Sequence, residues 1–409
     1  MSICVARQPI FDHHEHLFGY ELLYRSDVAA QSAVGPDSNT MSARVIANVF
    51  LGMDIRELTG GLRAFVNLTG EQLLDETYAL FDARDVVIEV LETCVVNDET
   101  VTAVHAMRDR GYTIALDDFE PELSAARLLD CASIIKIDVL NRPDNEILRV
   151  VEFVRPFGVR LLAERVETAE VYARCRAMGF ELFQGYFHAR PVTVHSEDVD
   201  ARQSTTMSLL NMLRDPDATD ASIASAFHSD PALCYKLMRI VNSSAVGTHE
   251  TSSVQQALRL VGRSTLYRWL SILFTASFAD GSDSARELVV GALARGQLSE
   301  LVAMRTGGAR AADAMFLTGV LSRMDALMRL PMERVLAAVT VSPAVRLALL
   351  SRTGPQAPAL VLAEAYERGD WATVHQLSET LGLALDDVGG LYVESIKWAE
   401  RQLAGASLA

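Results

Sequence analysis

Long hydrophobic runs are missing from this chain: the longest apolar stretch, near Trp269 to Ala279, falls short of the roughly 20 residues a membrane-spanning helix needs. Membrane insertion is therefore not expected. The N-terminal M-S-I-C-V-A-R-Q-P-I lacks the basic segment and apolar core of a secretory signal. Cysteine is scarce and scattered. Cys4, Cys94, Cys131, Cys175 and Cys234 are odd in number and share no metal-type spacing, which argues for reduced, buried thiols rather than a disulfide framework. Positive charge is also short, with 37 Lys and Arg against 53 Asp and Glu and a net charge of -16. Nucleic acid is thus not an expected partner, and an anionic ligand would need metal ions or a few arginines to hold it. These absences describe a cytoplasmic protein. Its 409 residues, half of them hydrophobic, suffice for two sizeable cores.

What is present changes character along the chain. Residues 3–11 and 17–24 are two strand-like runs around the polar D-H-H-E-H, a hairpin whose His13, His14 and His16 are expected to solvate the turn. Helical spacing follows from Ser38 to Leu58. Strand patterns at 63–69, 85–92, 112–119, 133–140, 159–167 and 182–186 then alternate with helical ones at 71–80, 98–110, 123–130, 146–157 and 169–178. Alternation through so many units implies a parallel sheet closed into a (β/α) barrel, with one strand of the opening hairpin running against the rest. After Arg190-Pro191 the text turns polar, and from about Gln203 nearly everything has helical period without an internal repeat. The expected architecture is α/β plus all-α: a modified TIM barrel over 1–196 and a helical bundle over 197–409. Asp230-Pro231 is expected to cap one bundle helix, with Leu233, Leu237, Ile240 and Val241 on its apolar face.

Chemistry gathers at the strand ends. Y-T-I-A-L-D-D-F at 112–119 finishes on Asp117 and Asp118, which alone would read as a turn or cap signal. Yet Glu21, Asn67, Glu89, Lys136, Glu164 and Gln184 occupy matching positions on other strands, at the end where barrel active sites are built. Facing inward, Glu21, Glu89, Asp117, Asp118 and Glu164 crowd five carboxylates against Lys136 and Arg25, and such a group cannot all stay ionised without cations. Hard divalent ions such as Mg²⁺ or Mn²⁺ accept this oxygen set, and a pair of them is the usual device for attack of water on a phosphodiester. Lys136 would then orient the water or relay its proton.

The set Y-E-L-L-Y-R at 20–25, V-N-L-T at 66–69, I-E-V-L-E-T at 88–93, L-D-D-F at 116–119, I-K-I-D at 135–138, A-E-R-V-E-T at 163–168, F-Q-G-Y at 183–186 and R-P at 190–191 resembles the EAL family of cyclic di-GMP phosphodiesterases. The resemblance implies two Mg²⁺ or Mn²⁺ ions held by Glu21, Asn67, Glu89, Asp117 and Asp118. It implies catalytic roles for Lys136, Glu164 and Gln184, and substrate contacts from Leu23, Arg25 and Pro191, with Glu167 behind them. The chain departs from the family where F-E-P-E-L-S replaces a Gly-rich, Ser-containing loop, where Arg165 replaces glycine, and where Leu22 replaces alanine.

The helical half, with S-D-P-A-L-C-Y-K-L-M-R-I-V-N-S-S-A at 229–245, S-S-V-Q-Q-A-L-R-L-V-G at 252–262 and R-W-L at 268–270, resembles an HDOD domain. At the place of the His-Asp pair in the wider HD class stands G-V-L-S-R-M-D-A-L, with no histidine before Asp325, and His228, His249 and His375 are isolated. That implies a binding or scaffold module with a protein partner of its own. Two functions follow: a cyclic di-GMP phosphodiesterase yielding linear pGpG, or a catalytically silent adaptor that binds the dinucleotide or a protein. A homodimer through the barrel edge is a third, compatible expectation.

Overall fold

The computed structural model describes residues 3–26, 55–121, 125–185, 201–230, 232–237, 253–279, 281–308 and 311–407. Eight strands close into a barrel in chain order: β1 (Ile3–Asp12), β2 (Leu17–Ser26), β3 (Arg63–Leu68), β4 (Val86–Val90), β5 (Thr113–Leu116), β6 (Ile134–Asp138), β7 (Arg160–Glu164) and β8 (Leu182–Gln184). As the hairpin required, β1 runs antiparallel to both β2 and β8, while every other neighbouring pair is parallel. Asp12 builds the hairpin turn by accepting the backbone N–H groups of His14 at 2.8 Å and His16 at 2.9 Å.

Period-two alternation explains how the barrel is filled. Ile10, Phe65, Val87, Ala115, Ile134, Leu162 and Leu182 form one buried apolar cluster. Two residues from each of these, on the same face of its strand, stand Gln8, Asn67, Glu89, Asp117, Lys136, Glu164 and Gln184. A greasy plug therefore underlies a polar layer. The opposite faces, with Val5, Leu22, Val66, Ile88, Ile114, Ile135 and Ala163, belong to the larger core beneath the outer helices. Leu22, which departs from the family's alanine, lies on that outer face and is fully buried, so the departure concerns packing rather than the barrel interior.

The outer helices carry the caps their sequence specifies. Asn97 and Thr168 accept the N–H of Thr100 and Val171 to start helices Asp98–Asp109 and Ala169–Met178. Helix Asp144–Val154 turns Ile147, Val150, Val151 and Val154 to the core. Two expected helices are shorter than their patterns. Over 71–80 the chain forms Gly70–Leu74 and a separate 3₁₀ turn, Thr77–Leu80, because Glu76 between them takes a left-handed φ of 51° and its carboxylate pairs with Arg110 at 2.9 Å. Over 123–130 only a 3₁₀ turn, Ala125–Leu128, is described. The helical spacing from Ser38 lies outside the described residues up to Ile55–Thr59, which is helical.

Contacts divide the chain into two units, one of Met1–Arg190, Ser282–Ser284 and Ala365–Val393, the other of Pro191–Gly281, Ala285–Glu364 and Glu394–Ala409. Thus a stretch from the C-terminal half packs with the barrel. In it, Tyr366 is fully buried against Trp371 and Tyr392, and its hydroxyl donates to the Val5 carbonyl at 3.4 Å. The second unit is helical around a core that includes Leu209, Phe227, Leu233, Leu237, Leu258, Leu270 and Leu317. Asp230 accepts the N–H groups of Ala232 at 2.9 Å and Leu233 at 3.1 Å, as a helix cap should; Ile240 and Val241 lie outside the described residues.

Candidate active site

Lys136 stands at the centre of the polar layer, fully buried. Its ammonium lies 2.8 Å from Glu89 Oε1, 2.8 Å from Asp117 Oδ1, 2.9 Å from Glu164 Oε1 and 3.4 Å from Glu21 Oε2. Four carboxylates from β2, β4, the end of β5 and β7 thus surround one cation. Burial by itself would lower the Lys136 pKa, but Glu164, Glu21, Glu89 and Asp117 together push it well above the ordinary lysine value. Burial pushes Glu89 well up, raises Asp117, and lifts Glu164 to about 8. Glu21 goes the other way: against its burial, Lys136 and the side-chain amides of Gln184 and Asn67 hold its pKa down.

An ammonium has three N–H bonds for these four neighbours, and the layer contains acceptors that nothing satisfies. Asn67 Nδ2 donates to Glu21 Oε1 at 2.9 Å, leaving Asn67 Oδ1 buried without a donor. Glu89 Oε2 is buried without a donor, while its Oε1 lies 2.8 Å from the ammonium. Orphaned oxygens beside surplus negative charge fit hard divalent cations. The donor set that would hold them comprises Glu21, Asn67, Glu89 and Asp117. Gln184 Nε2 donates to Glu21 Oε2 at 2.7 Å and to Gln8 Oε1 at 2.9 Å, which leaves its own buried Oε1 unpartnered. Gln8 was not singled out by sequence; its position opposite Glu21 in the β1–β2 register was the available signal.

Past Asp117 the backbone leaves the strand. Asp117 N–H donates to the Val90 carbonyl at 3.0 Å and Phe119 N–H to the Lys136 carbonyl at 3.1 Å. Asp118 between them takes a left-handed φ of 41°, and its side chain is exposed, outside the group around Lys136. Phe119 is buried and stacks on Phe153 with centroids 6.4 Å apart, and Glu120 pairs with Arg142 at 2.9 Å. Residues 122–124 lie outside the described part. At the end of β7, Arg165 has φ 55° and pairs with Asp138. A left-handed residue is where glycine is ordinarily favoured, and the ion pair holds arginine there instead. Gly185, after Gln184, is required: at φ 143° an added Cβ would stand 2.3 Å from the Val166 carbonyl oxygen.

Of the expected substrate contacts, Leu23 is half-buried on the face of Glu21; the Arg25 side chain and Pro191 lie outside the described residues. Away from this layer, His105, Asp130 and Cys131 come together, with Cys131 Sγ 3.1 Å from His105 Nδ1, and burial pushes the thiol up to about 11. In the helical unit, burial raises the Asp325 pKa against the opposing pull of Arg352 and Arg295.

Residues 2–191 match the EAL domain family and residues 202–341 the HDOD domain family. The chain is similar to CdgJ of Vibrio cholerae, named a cyclic di-GMP phosphodiesterase, with 32% identity over 402 residues covering 97% of this chain and 92% of that protein. It is also similar to YuxH of Bacillus subtilis, with 31% identity over 409 residues covering 97% and 98%. A manganese and cyclic di-GMP complex of BlrP1 from Klebsiella pneumoniae matches 46% of this chain and 55% of that one, at 25% identity and a TM-score of 0.38. The chain belongs to the family of proteins that join an EAL barrel to an HDOD domain.

Proposed function

We propose that the barrel is a cyclic di-GMP phosphodiesterase. The observation that carries this reading is the polar layer, with Glu21, Asn67, Glu89, Asp117 and Glu164 around Lys136 and acceptor atoms left unsatisfied. Similarity to a named phosphodiesterase over nearly the whole chain supports it. Mg²⁺ or Mn²⁺ held by Glu21, Asn67, Glu89 and Asp117 would supply Lewis-acid charge to a phosphoryl oxygen and to the attacking water; Asp118, the remaining ligand the family resemblance implies, would join them only if its exposed side chain turned inward. The water oxygen bonds to phosphorus, the 3′ oxygen leaves and takes up a proton, and linear pGpG results.

In this reading Lys136 holds its proton against four carboxylates, and when their charge is neutralised it becomes free to relay one. Glu164, lifted to about 8, is a second group able to exchange a proton near neutral pH. Gln184 Oε1 offers an acceptor to the water, and Leu23, Arg25 and Pro191 would contact the dinucleotide. The HDOD region would act as a regulatory or scaffold module with its own protein partner, the boundary falling near 196.

The test is hydrolysis of cyclic di-GMP by purified protein with Mg²⁺ or Mn²⁺, beside Glu21→Ala and Lys136→Ala. Turnover that both substitutions abolish supports the reading, and hours of incubation with the dinucleotide intact sink it. A second reading, a silent binder, is favoured by one observation: Asp118 is exposed, two residues ahead of the Glu120 that pairs with Arg142. Tight binding in Ca²⁺ without turnover in Mg²⁺ or Mn²⁺ would select it.

A further inference from the structure

We infer that Gly369 and the Glu367 carbonyl, far along the chain in the helical half, are positioning elements of the catalytic wall. The inference rests on the phosphodiesterase reading above. The helix ending at Glu367 closes with Gly369 in the left-handed region at φ 67°, its N–H donating to the Tyr366 carbonyl at 3.0 Å and that of Asp370 to Ala365 at 2.9 Å. This end is seated on β1, where the Tyr366 hydroxyl reaches the Val5 carbonyl at 3.4 Å.

Two contacts then reach the face of β1 and β2 that carries the polar layer. Gln8 Nε2 donates to the Glu367 carbonyl at 3.3 Å, which fixes which end of the Gln8 amide faces β8. Its oxygen is presented to Gln184 Nε2 at 2.9 Å, and the same Gln184 nitrogen donates to Glu21 at 2.7 Å. With the Gln8 amide reversed, two NH₂ groups would face each other and Gln184 would have to turn away from Glu21. The second contact is steric. A Cβ at Gly369 would stand 2.7 Å from Leu23 Cδ1 and 3.4 Å from Leu23 Cβ. Leu23 lies two residues past Glu21 on the same face of β2, so a side chain at 369 must push the end of Leu23 aside next to the carboxylates.

The chain contains its own control. Gly382 has nearly the same φ, 68°, but an added Cβ there meets nothing within 4 Å. Gly369→Ala and Gly382→Ala therefore carry similar backbone strain and differ in the contact with Leu23. In the full-length protein with Mn²⁺, Gly369→Ala is expected to raise the KM for cyclic di-GMP about tenfold over Gly382→Ala at comparable melting temperature. Equal KM in the two single variants overturns the inference. Wild-type protein that neither binds nor hydrolyses the dinucleotide would refute the functional reading separately. The same pair is then compared by Mn²⁺ titration: weaker binding in Gly369→Ala sustains the positioning role of this segment beside Glu21, and equal affinity ends it.

Discussion

Glu120 and Arg142 face each other at 2.9 Å, joining the loop after β5 to the loop after β6. Arg142 is mostly covered while Glu120 is largely open to solvent, so the pair itself contributes about 0.2–1 kcal/mol to stability. Its larger effect is on where the chain after Asp118 can go. Arg142→Glu is expected to leave the melting temperature nearly unchanged and to weaken Mn²⁺ activation, and Glu120→Arg/Arg142→Glu to restore it. A charge swap without recovery would show that the pair does not position the loop.

Lys136 is the sole cation described among four carboxylates, and its removal leaves their charge unopposed. Lys136→Ala should destabilise the metal-free protein by about 3–5 kcal/mol. Because divalent ions can take over the neutralising role, Mn²⁺ should restore stability without restoring turnover. Calorimetric melting with and without Mn²⁺, beside the hydrolysis assay, separates the two.

Glu164 makes the site pH-dependent in a defined direction. A carboxyl lifted from 4.5 to about 8 keeps its proton in the fold where the unfolded chain has lost it. Across that window this group withdraws stability from the metal-free protein as pH rises. Cations favour the ionised form, so the Mn²⁺-induced rise in melting temperature should grow from pH 5 to pH 8. Glu164→Gln should flatten the trend.

Gly185 lets the end of β8 approach the turn after β7, where a Cβ would meet the Val166 carbonyl oxygen at 2.3 Å. Gly185→Ala is expected to cost about 3 kcal/mol or more. Gly179→Ala, at φ 99° with nothing within 4 Å, should cost about 1 kcal/mol. Urea unfolding of the two variants checks the difference.

Leu22→Ala restores the family's residue at a fully buried position on the outer face of β2. It should open a cavity worth about 2–5 kcal/mol and leave the KM for cyclic di-GMP unchanged. A changed KM would place Leu22 in the catalytic wall after all.

Local rules made much of this protein legible before any coordinates. Alternation by two along each strand selects one face, so Glu21, Asn67, Glu89, Lys136, Glu164 and Gln184 could be assigned to one layer from spacing alone, as could the reversed direction of one hairpin strand. The Asp230 cap is equally local, since its side chain serves N–H groups two and three residues on; Asn97 and Thr168 act the same way, although only the structure singled them out. Helix length was less legible at 71–80, where Glu76 breaks the pattern with Arg110, a residue 34 positions away. Asp118 shows the same limit: adjacency to Asp117 says nothing about a left-handed φ that turns its side chain outward. The contacts of Gln8 with Glu367 and of Leu23 with Gly369 span about 350 residues, and no periodicity records them. What the amino-acid sequence determined by itself is which groups each strand presents and to which face, because strand geometry is local. Only the closed barrel decided how four carboxylates share one ammonium, which acceptors stay unsatisfied, and which distant segment braces the wall, because burial and charge act through space rather than along the chain.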